Sequence, residues 1–274
     1  MKAFVKQIAS QLETAYPKDE AEALAWWVVE EETGLSRSQI LTGCKITKNF
    51  AHVQDIIERL LDFEPIQYIF GHTQWCGLDL KVTPATLIPR PETAELVEKV
   101  ERLKVKGERL KLLDVGTGSG CIGIALKKKH PEWQITGIDI SAEAIEVAKE
   151  NAHRNGVEVE FKVADIFSDE TEGIGTFDIV VSNPPYICEK EKAGMRKNVL
   201  DFEPASALFV PDNDPLKFYR RIAELRIGKH LYFEINEAYP QEVVTLLESL
   251  GYSSIQVTKD MYGKARIIEG RMVG

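Results

Sequence analysis

The second part of the chain alternates between short apolar runs and amphipathic segments, and this alternation limits the fold more than any other feature. The apolar runs predict four strands, Leu110–Leu113, Gln134–Ile138, Val159–Val163 and Phe177–Ser182. Helices are predicted after the first two strands, one from Gly120 to Lys129 and one from an N-cap at Ser141 to near Gly156. Strands connected through helices lie parallel, so the pattern predicts an α/β fold with helices on both faces of a parallel sheet.

A hairpin is predicted at the far end of this sheet. After a polar stretch at 189–214 that predicts irregular structure, the order helix, strand, helix resumes with the bounds Leu216–Leu225, His230–Ile235 and Gln241–Leu250. The last two predicted strands, Ser253–Thr258 and Ala265–Glu269, are joined by a segment too short for a helical crossover. We therefore expect a parallel sheet with an antiparallel last strand.

The part of the chain before this alternation predicts a small helical domain. No strand pattern occurs before about residue 61, and the segments Ala21–Glu32 and Asn49–Leu61 carry apolar residues at helical spacing. Gly77 then separates Thr73–Cys76 from Leu78–Val82, which is typical of a β-hairpin. We divide the chain into an N-terminal helical domain at 1–70, a β-hairpin linker at 71–90 and a large domain at 91–274.

A helix is predicted to lead into the large domain. It covers Glu92 to Leu103 and has Pro91 in its first turn.

Composition excludes several classes of protein. The net charge of −9 argues against a chain whose affinity comes mainly from neutralising phosphates. The cysteines and histidines are dispersed, so we expect no metal site and no disulfide; the cysteines are Cys44, Cys76, Cys121 and Cys188. The first residues lack the apolar run of a secretory signal, and no apolar run approaches the length of a membrane span. We expect a cytoplasmic protein.

Polar residues stand at the ends of all four strands of the first set: Asp114, Asp139, Asp165 and Asn183. Ligands of open parallel sheets bind beyond the carboxyl ends of the strands. A single polar residue there is more often a turn former or helix cap, but four in succession indicate a ligand site.

The loop after the first strand, D-V-G-T-G-S-G, contains Gly116, Gly118 and Gly120. Glycines at such a loop allow positive φ and the close approach of a ligand. The spacing G-x-G-x-G differs from the dinucleotide pattern G-x-G-x-x-G. Asp139 could accept hydrogen bonds from ribose hydroxyls, and Asp165 could accept one from an adenine amino group. S-adenosylmethionine fits this pattern better than a dinucleotide.

The motif N-P-P-Y, from Asn183 to Tyr186, follows the fourth strand. The side-chain oxygen of Asn183 and the carbonyl of Pro184 could accept the two hydrogens of a planar nitrogen and direct that nitrogen at a methyl donor. Tyr186 could stack on the planar group and stabilise nearby positive charge. An exposed turn is the alternative, but the upstream glycine loop favours the chemical interpretation.

With these features together, the sequence resembles the S-adenosylmethionine-dependent amino-methyltransferases, and specifically the release factor glutamine methyltransferase (PrmC/HemK) family. The resemblance covers nearly the whole chain and rests on P-I-Q-Y-I-F-G at 65–71, L-I-P-R-P-E-T at 87–93, D-V-G-T-G-S-G-C-I at 114–122, N-P-P-Y-I at 183–187 and E-P at 203–204. The chain departs from the family's pattern at Ala94 and in the segment F-V-P-D-N-D-P at 209–215.

The resemblance implies a Rossmann-like class I methyltransferase sheet and methylation of the side-chain nitrogen (N5) of the glutamine in the Gly-Gly-Gln motif of class I peptide chain release factors. It implies S-adenosylmethionine contacts from Gly116, Thr117, Gly118, Ser119, Gly120, Asp139, Asp165, Ile166 and Asn183. It implies that the substrate glutamine is held by Asn183, Pro184, Pro185 and Tyr186, with Asn183 and Tyr186 as the catalytic residues. The helical domain would help to grip the release factor, and we expect a monomer.

Other functions share some of these features. DNA adenine or cytosine amino-methyltransferases use the same tetrapeptide on a flipped base, but the acidic chain offers no obvious surface for DNA. A nucleotide-binding oxidoreductase is opposed by the glycine spacing. A non-catalytic, cofactor-binding partner of translation factors stays open on sequence alone.

Overall fold

The computed structural model describes residues 1–43, 50–103, 109–260 and 262–273. The chain forms two compact units, one made of residues 1–71 and 196–202, the other of residues 72–195 and 203–274. By its contacts the predicted hairpin segment is part of the larger unit. The three-part division expected from the sequence stays a prediction.

The smaller unit is helical. Its helices before residue 72 are α1 Lys2–Leu12, α2 Lys18–Thr33, α3 Arg37–Leu41, α4 Val53–Leu61 and α5 Ile66–Phe70. Buried side chains at helical spacing form one core, among them Ile8, Leu12, Val28, Ile57 and Leu60. The predicted helix at 21–32 is confirmed within α2. The helix predicted from Asn49 begins at Val53, and residue 49, like Cys44, lies outside the described residues.

The larger unit contains the predicted sheet. Its strands are β1 His72–Trp75, β2 Leu78–Lys81, β3 Lys111–Val115, β4 Gln134–Asp139, β5 Glu160–Val163, β6 Phe177–Ser182, β7 Ile187–Cys188, β8 Phe209–Val210, β9 Gly228–Glu234, β10 Tyr252–Lys259 and β11 Ala265–Met272. Seven of them pair in the order β10-β11-β9-β6-β3-β4-β5, while β1 pairs with β2 and β7 with β8. Strands β5, β4, β3, β6 and β9 are parallel, and β11 is antiparallel to both of its neighbours. The predicted parallel sheet with an antiparallel last strand is confirmed.

Both faces of the sheet are buried. The helices of the larger unit are α6 Thr93–Glu101, α7 Cys121–Lys129, α8 Ala142–Arg154, α10 Lys217–Glu224 and α11 Pro240–Ser249, while α9 Lys197–Phe202 belongs to the smaller unit. Because consecutive strand residues point to opposite faces, Leu112 and Ile179 belong to one hydrophobic cluster, whereas Leu113 and Val180 belong to the other. This is why the central strands are apolar throughout rather than alternating.

Two local predictions were wrong. Helix α6 begins at Thr93 with Glu92 as its N-cap, so Pro91 precedes the first turn. The stretch at 189–214, expected to be irregular, contains α9, β8 and two 3-10 helices, Glu189–Gly194 and Ala205–Ala207. These elements are too short to show a hydrophobic period, and α5 escaped prediction for the same reason.

Amide side chains of α8 fix the edge of the β1–β2 hairpin. Asn151 is fully buried; its Nδ2 donates to the carbonyls of Lys81 (3.0 Å) and Ser119 (2.9 Å), and its Oδ1 accepts from the amide of Lys81 (2.6 Å). Asn155 makes the same pair of bonds to the main chain of Asp79. The hairpin and the glycine loop are therefore attached to one helix.

Two further observations concern the described residues as a set. None of their helices has the length and apolar character needed to cross a membrane. No three His, Cys, Asp or Glu side chains among them converge on a metal-binding arrangement, and the expected absence of a metal stays a prediction. Cys76 is exposed, while Cys121 and Cys188 are buried and free.

Candidate functional site

A cavity of about 540 Å³ lies beyond the carboxyl ends of β3, β4 and β6, where the strand-end argument places a ligand. Most of the site residues predicted from the sequence line it: Gly116, Thr117, Gly118, Ser119, Asp139, Asp165, Ile166, Asn183, Pro184 and Pro185. Gly120 and Tyr186 are not among the lining residues. The structure thus brings together segments that are far apart in the sequence.

The glycine loop leaves one side of the cavity without side chains. Gly116 and Gly118 have φ values of +68° and +53°, and a Cβ added to either would meet no heavy atom within 4 Å. Asp139 ties the loop to the next strand, because its Oδ2 accepts from the amide of Gly118 at 2.8 Å and its Oδ1 accepts from the amide of Ser141 at 3.0 Å. The backbone is thereby open to a ligand and held by a carboxylate at the same place.

Gly120 occupies a different environment from the other two glycines. It is the N-cap of α7 with φ +81°, and an added Cβ would come within 3.0 Å of Ile124 and 3.1 Å of both Ala148 and Phe161. Its lack of a side chain lets α7 pack closely beneath the loop. The cofactor contact expected of Gly120 stays a prediction.

Asp114 supports the loop from below. It is completely buried, and its Oδ2 accepts from Thr117 Oγ1 at 2.6 Å and from the amide of Gly123 at 3.2 Å, while Oδ1 is buried without a partner. Burial raises the pKa of Asp114 to about 6, and the hydrogen bonds from Thr117 and Gly123 limit the rise. Asp114 does not line the cavity, so this strand-end acid holds the loop in place.

Apolar side chains form another part of the cavity lining. Asp165 accepts from the amide of Phe167 at 2.9 Å and so turns the chain after β5. The rings of Phe167 and Phe218 contact edge to face at 5.1 Å, and Lys217 Nζ lies 4.4 Å from the centre of the Phe167 ring. Ile140, which is 63% exposed although it is a large apolar residue, also lines the cavity.

Asn183 is held by a chain of hydrogen bonds that leads to a buried carboxylate. Its Nδ2 donates to Thr93 Oγ1 at 3.2 Å, and Thr93 Oγ1 donates to Glu234 Oε2 at 2.7 Å. The other oxygen of this carboxylate, Glu234 Oε1, accepts from the hydroxyl of Tyr186 at 3.0 Å. Both Thr93 and Glu234 are buried. Two residues of the N-P-P-Y motif thus converge on one buried carboxylate.

Burial and neighbouring groups set the protonation of Tyr186 and Glu234 in this series of hydrogen bonds. Burial, followed by the nearby carboxylate of Glu234, raises the pKa of Tyr186, so its hydroxyl keeps its proton and donates. Burial also raises the pKa of Glu234, but the hydrogen bonds from Thr93 and Tyr186 and the charge of Arg266 oppose that rise.

The segment L-I-P-R-P-E-T forms another part of the lining and is held by a second buried carboxylate. Glu203 accepts from the guanidinium of Arg90 at 2.6 Å and from the amide of Ile88 at 3.2 Å. Trp75 Nε1 donates to the carbonyl of Arg90 at 2.8 Å. The E-P pair at 203–204 and the segment at 87–93, both noted in the sequence, are therefore in contact.

The sequence argument missed Thr93 and Glu234 as parts of this site. Glu234 is the last residue of β9, the fifth parallel strand. The strand-end rule was applied only to the first four strands; extended to the next one, it points to Glu234. Thr93 stood inside a noted motif, but nothing in the sequence shows which residues its hydroxyl contacts.

Comparison with protein families gives two matches. Residues 93–201 match the model described as "Methyltransferase small domain", and residues 3–71 match "PrmC N-terminal domain".

Curated relatives match along nearly the full length. A release factor glutamine methyltransferase of Bacteroides thetaiotaomicron is 43% identical, covering 98% of this chain and 99% of its own. Proteins of the same description from Flavobacterium psychrophilum and Lactococcus lactis are 40% and 35% identical, over 98% and 96% of this chain and 98% and 97% of theirs.

Solved structures share the fold. The hMettl16 catalytic domain, crystallised in complex with MAT2A 3'UTR hairpin 6, aligns with a TM-score of 0.57 at 17% identity, over 72% of this chain and 77% of that one. A methyltransferase from Pyrococcus furiosus aligns with a TM-score of 0.50 at 19% identity, over 72% and 90% of the two chains.

Proposed function

Because the chain belongs to the release factor glutamine methyltransferase family, we propose that it transfers a methyl group from S-adenosylmethionine to the side-chain nitrogen of a release-factor glutamine. The glutamine is that of the Gly-Gly-Gln motif of class I release factors. A release-factor substrate places the reaction in the cytoplasm, and we expect the enzyme to act as a monomer.

The cavity suits the proposed cofactor. Gly116 and Gly118 present bare main chain, and the amino end of α7 follows directly, which favours an anionic group such as a carboxylate. The carboxylate of Asp139 has lone pairs left for ribose hydroxyls after its two main-chain bonds. Asp165 and Ile166, beside Phe167 and Phe218, suit the adenine ring. When bound, the cofactor supplies a methyl group on a positively charged sulfur.

The chain's own residues would prepare the substrate nitrogen. An amide nitrogen is a weak nucleophile because its lone pair is delocalised into the carbonyl. Asn183 Oδ1 and the Pro184 carbonyl would accept the two N–H hydrogens and hold the nitrogen in line with the methyl group. As positive charge develops on the nitrogen, these acceptors bind its hydrogens more strongly, which stabilises the transition state selectively. The C–N bond would form as the C–S bond breaks, the sulfur would leave as a neutral thioether, and one of the two N–H protons would pass to water. Pro185 would contact the glutamine, and Tyr186 would lie against its planar group.

One observation carries this proposal: the Asn183 amide borders the cavity, its NH2 group donates to Thr93, and no hydrogen bond to its Oδ1 is found among the described residues. An acceptor in that place suits a substrate with an NH2 group.

The experiment is a transfer assay with methyl-labelled S-adenosylmethionine. A class I release factor should gain label, while its Gly-Gly-Ala variant and duplex DNA should not. The matched enzyme control is Asn183→Ala, which should retain cofactor but transfer little label. Equal labelling of both release factors, or labelling of DNA, contradicts the proposal.

A further inference from the structure

Glu234 does not line the cavity, but its carboxylate contacts Tyr186 directly and Asn183 through Thr93. It is the last residue of β9, is 1% exposed, and accepts one hydroxyl on each carboxylate oxygen, from Thr93 at 2.7 Å and from Tyr186 at 3.0 Å. Its own main-chain carbonyl accepts from Tyr219 at 3.2 Å. A buried carboxylate with one hydroxyl donor on each oxygen is strongly fixed.

The arrangement decides which end of the Asn183 amide faces the cavity. A threonine hydroxyl has one hydrogen, and that of Thr93 is committed to Glu234. Towards Asn183, Thr93 Oγ1 can then only accept, so the partner it selects is the NH2 group of the amide. The opposite orientation would place two acceptor oxygens, Thr93 Oγ1 and Asn183 Oδ1, against each other.

A second contact from the same end of β9 reaches the motif. Asn236 Nδ2 donates to the carbonyl of Tyr186 at 3.0 Å and to Glu191 Oε1 at 3.0 Å. The side chain of Glu234 and that of Asn236 thus hold both the hydroxyl and the main chain of Tyr186. The motif is therefore held by two side chains, those of Glu234 and Asn236, that do not line the cavity.

We propose that Glu234 is a positioning residue for methyl transfer, which acts through Thr93 to keep Asn183 Oδ1 directed at the substrate nitrogen and through Tyr186 to hold the motif. The proposal rests on the proposed function for its catalytic consequence, but the amide orientation itself does not depend on any substrate.

Exchange of Glu234 for glutamine keeps the shape of the side chain but removes one of its two acceptor oxygens. A glutamine has one acceptor and one donor group, so it cannot accept from both hydroxyls. If its NH2 group faces Thr93, the threonine hydrogen turns to Asn183 and draws Oδ1 away from the cavity. We expect Glu234→Gln to lower kcat roughly 10- to 100-fold, in the range of a lost oriented hydrogen bond, with an unchanged cofactor Kd.

Threonine variants test the same path independently. Thr93→Val has nearly the same shape but no hydroxyl, and it should lower kcat similarly. Thr93→Ser keeps the hydroxyl and should retain most of the wild-type kcat. Tyr219→Phe is the matched control, since it removes a buried bond to the Glu234 main chain without touching the carboxylate, and it should leave kcat unchanged.

A direct measurement of the amide separates this proposal from the proposed function. The side-chain NH2 resonances of Asn183, assigned by their absence in Asn183→Ala, should shift in Glu234→Gln and Thr93→Val. They should stay in place in Thr93→Ser and Tyr219→Phe. Unshifted resonances in Glu234→Gln, or a Tyr219→Phe variant as slow as Glu234→Gln, would overturn the positioning role. Shifted resonances in a protein that labels no release factor would instead remove the proposed function and leave the orientation intact.

Discussion

Substitution of the third loop glycine tests whether the loop is shaped by packing or by its ligand. In Gly120→Ala the new methyl group meets two energetic costs. The residue sits at φ +81°, where a side chain costs about 1–2 kcal/mol. The methyl group also lies 3.0–3.1 Å from Ile124, Ala148 and Phe161, and such overpacking costs about 1–3 kcal/mol more.

Gly118→Ala is the matched comparison. It carries the same strain at φ +53°, but its methyl group meets no heavy atom within 4 Å. The stabilising loss of unfolded-state freedom is alike in both variants and cancels in the difference. We therefore expect Gly120→Ala to be about 1–3 kcal/mol less stable than Gly118→Ala, which corresponds to a lower melting temperature by roughly 2–5 °C.

Urea unfolding followed by circular dichroism, without cofactor, measures this difference in stability. Calorimetric titration with S-adenosylmethionine then compares the cofactor affinity of the two variants. The methyl group of Gly118→Ala projects into the cavity and should weaken cofactor binding at least roughly tenfold. Folded Gly120→Ala should bind nearly as the wild type does. Equal unfolding midpoints, or a Gly120→Ala variant that is stable but loses the cofactor, would refute the packing argument.

Three further predictions concern polar side chains. Because burial raises the pKa of Asp114 from 3.8 to about 6, its contribution to stability is present below pH 4 and is lost as the pH rises through about 6; Asp114→Asn should remove this fall of about 3 kcal/mol between about pH 4 and about pH 7, and parallel urea-unfolding curves of both proteins would contradict it. Asp139→Asn loses a charged acceptor and should raise the cofactor Kd roughly 10- to 100-fold in calorimetric titration, whereas an unchanged Kd would exclude Asp139 from the site. Asn151→Ala leaves the part-buried main chain of Lys81 and the buried carbonyl of Ser119 unpaired and should cost about 2–4 kcal/mol in urea unfolding, more than the partly exposed Asn155→Ala; equal costs would contradict this account of the hairpin.

Much of this fold could be predicted because continuous apolar runs mark the buried strands and apolar residues at helical spacing mark the helices. The apolar strands and the Ser141 N-cap were found from local sequence, and the short final connection was enough to predict an antiparallel last strand. The strand-end rule brought Asp139, Asp165 and Asn183 to one cavity, since parallel strands end at one edge.

The remainder depended on contacts between distant segments. The sequence places Gly116, Gly118 and Gly120 in one equivalent pattern, yet two face open space and the third faces packed side chains. Likewise Asp114 has the same sequence position as the other strand-end acids, but its carboxylate bonds to Thr117 and Gly123 and does not face the cavity. Spacing gives the positions of residues along a strand, whereas the direction of a side chain at a loop follows from what packs beside it.

The place of β11 in the sheet has a consequence for how the enzyme is made. Residues 265–272 are synthesised after both strands that they separate, so β10 has no partner in the sheet and β9 remains an open edge until they appear. The amide of Ile235, directly after Glu234, donates to the carbonyl of Arg266, so it also has no partner until that residue has been synthesised. A nascent chain can therefore hold the whole glycine loop and N-P-P-Y motif while the carboxylate behind Asn183 is still at an unfinished edge. With the positioning role proposed for Glu234, competence for the reaction would be acquired late in translation.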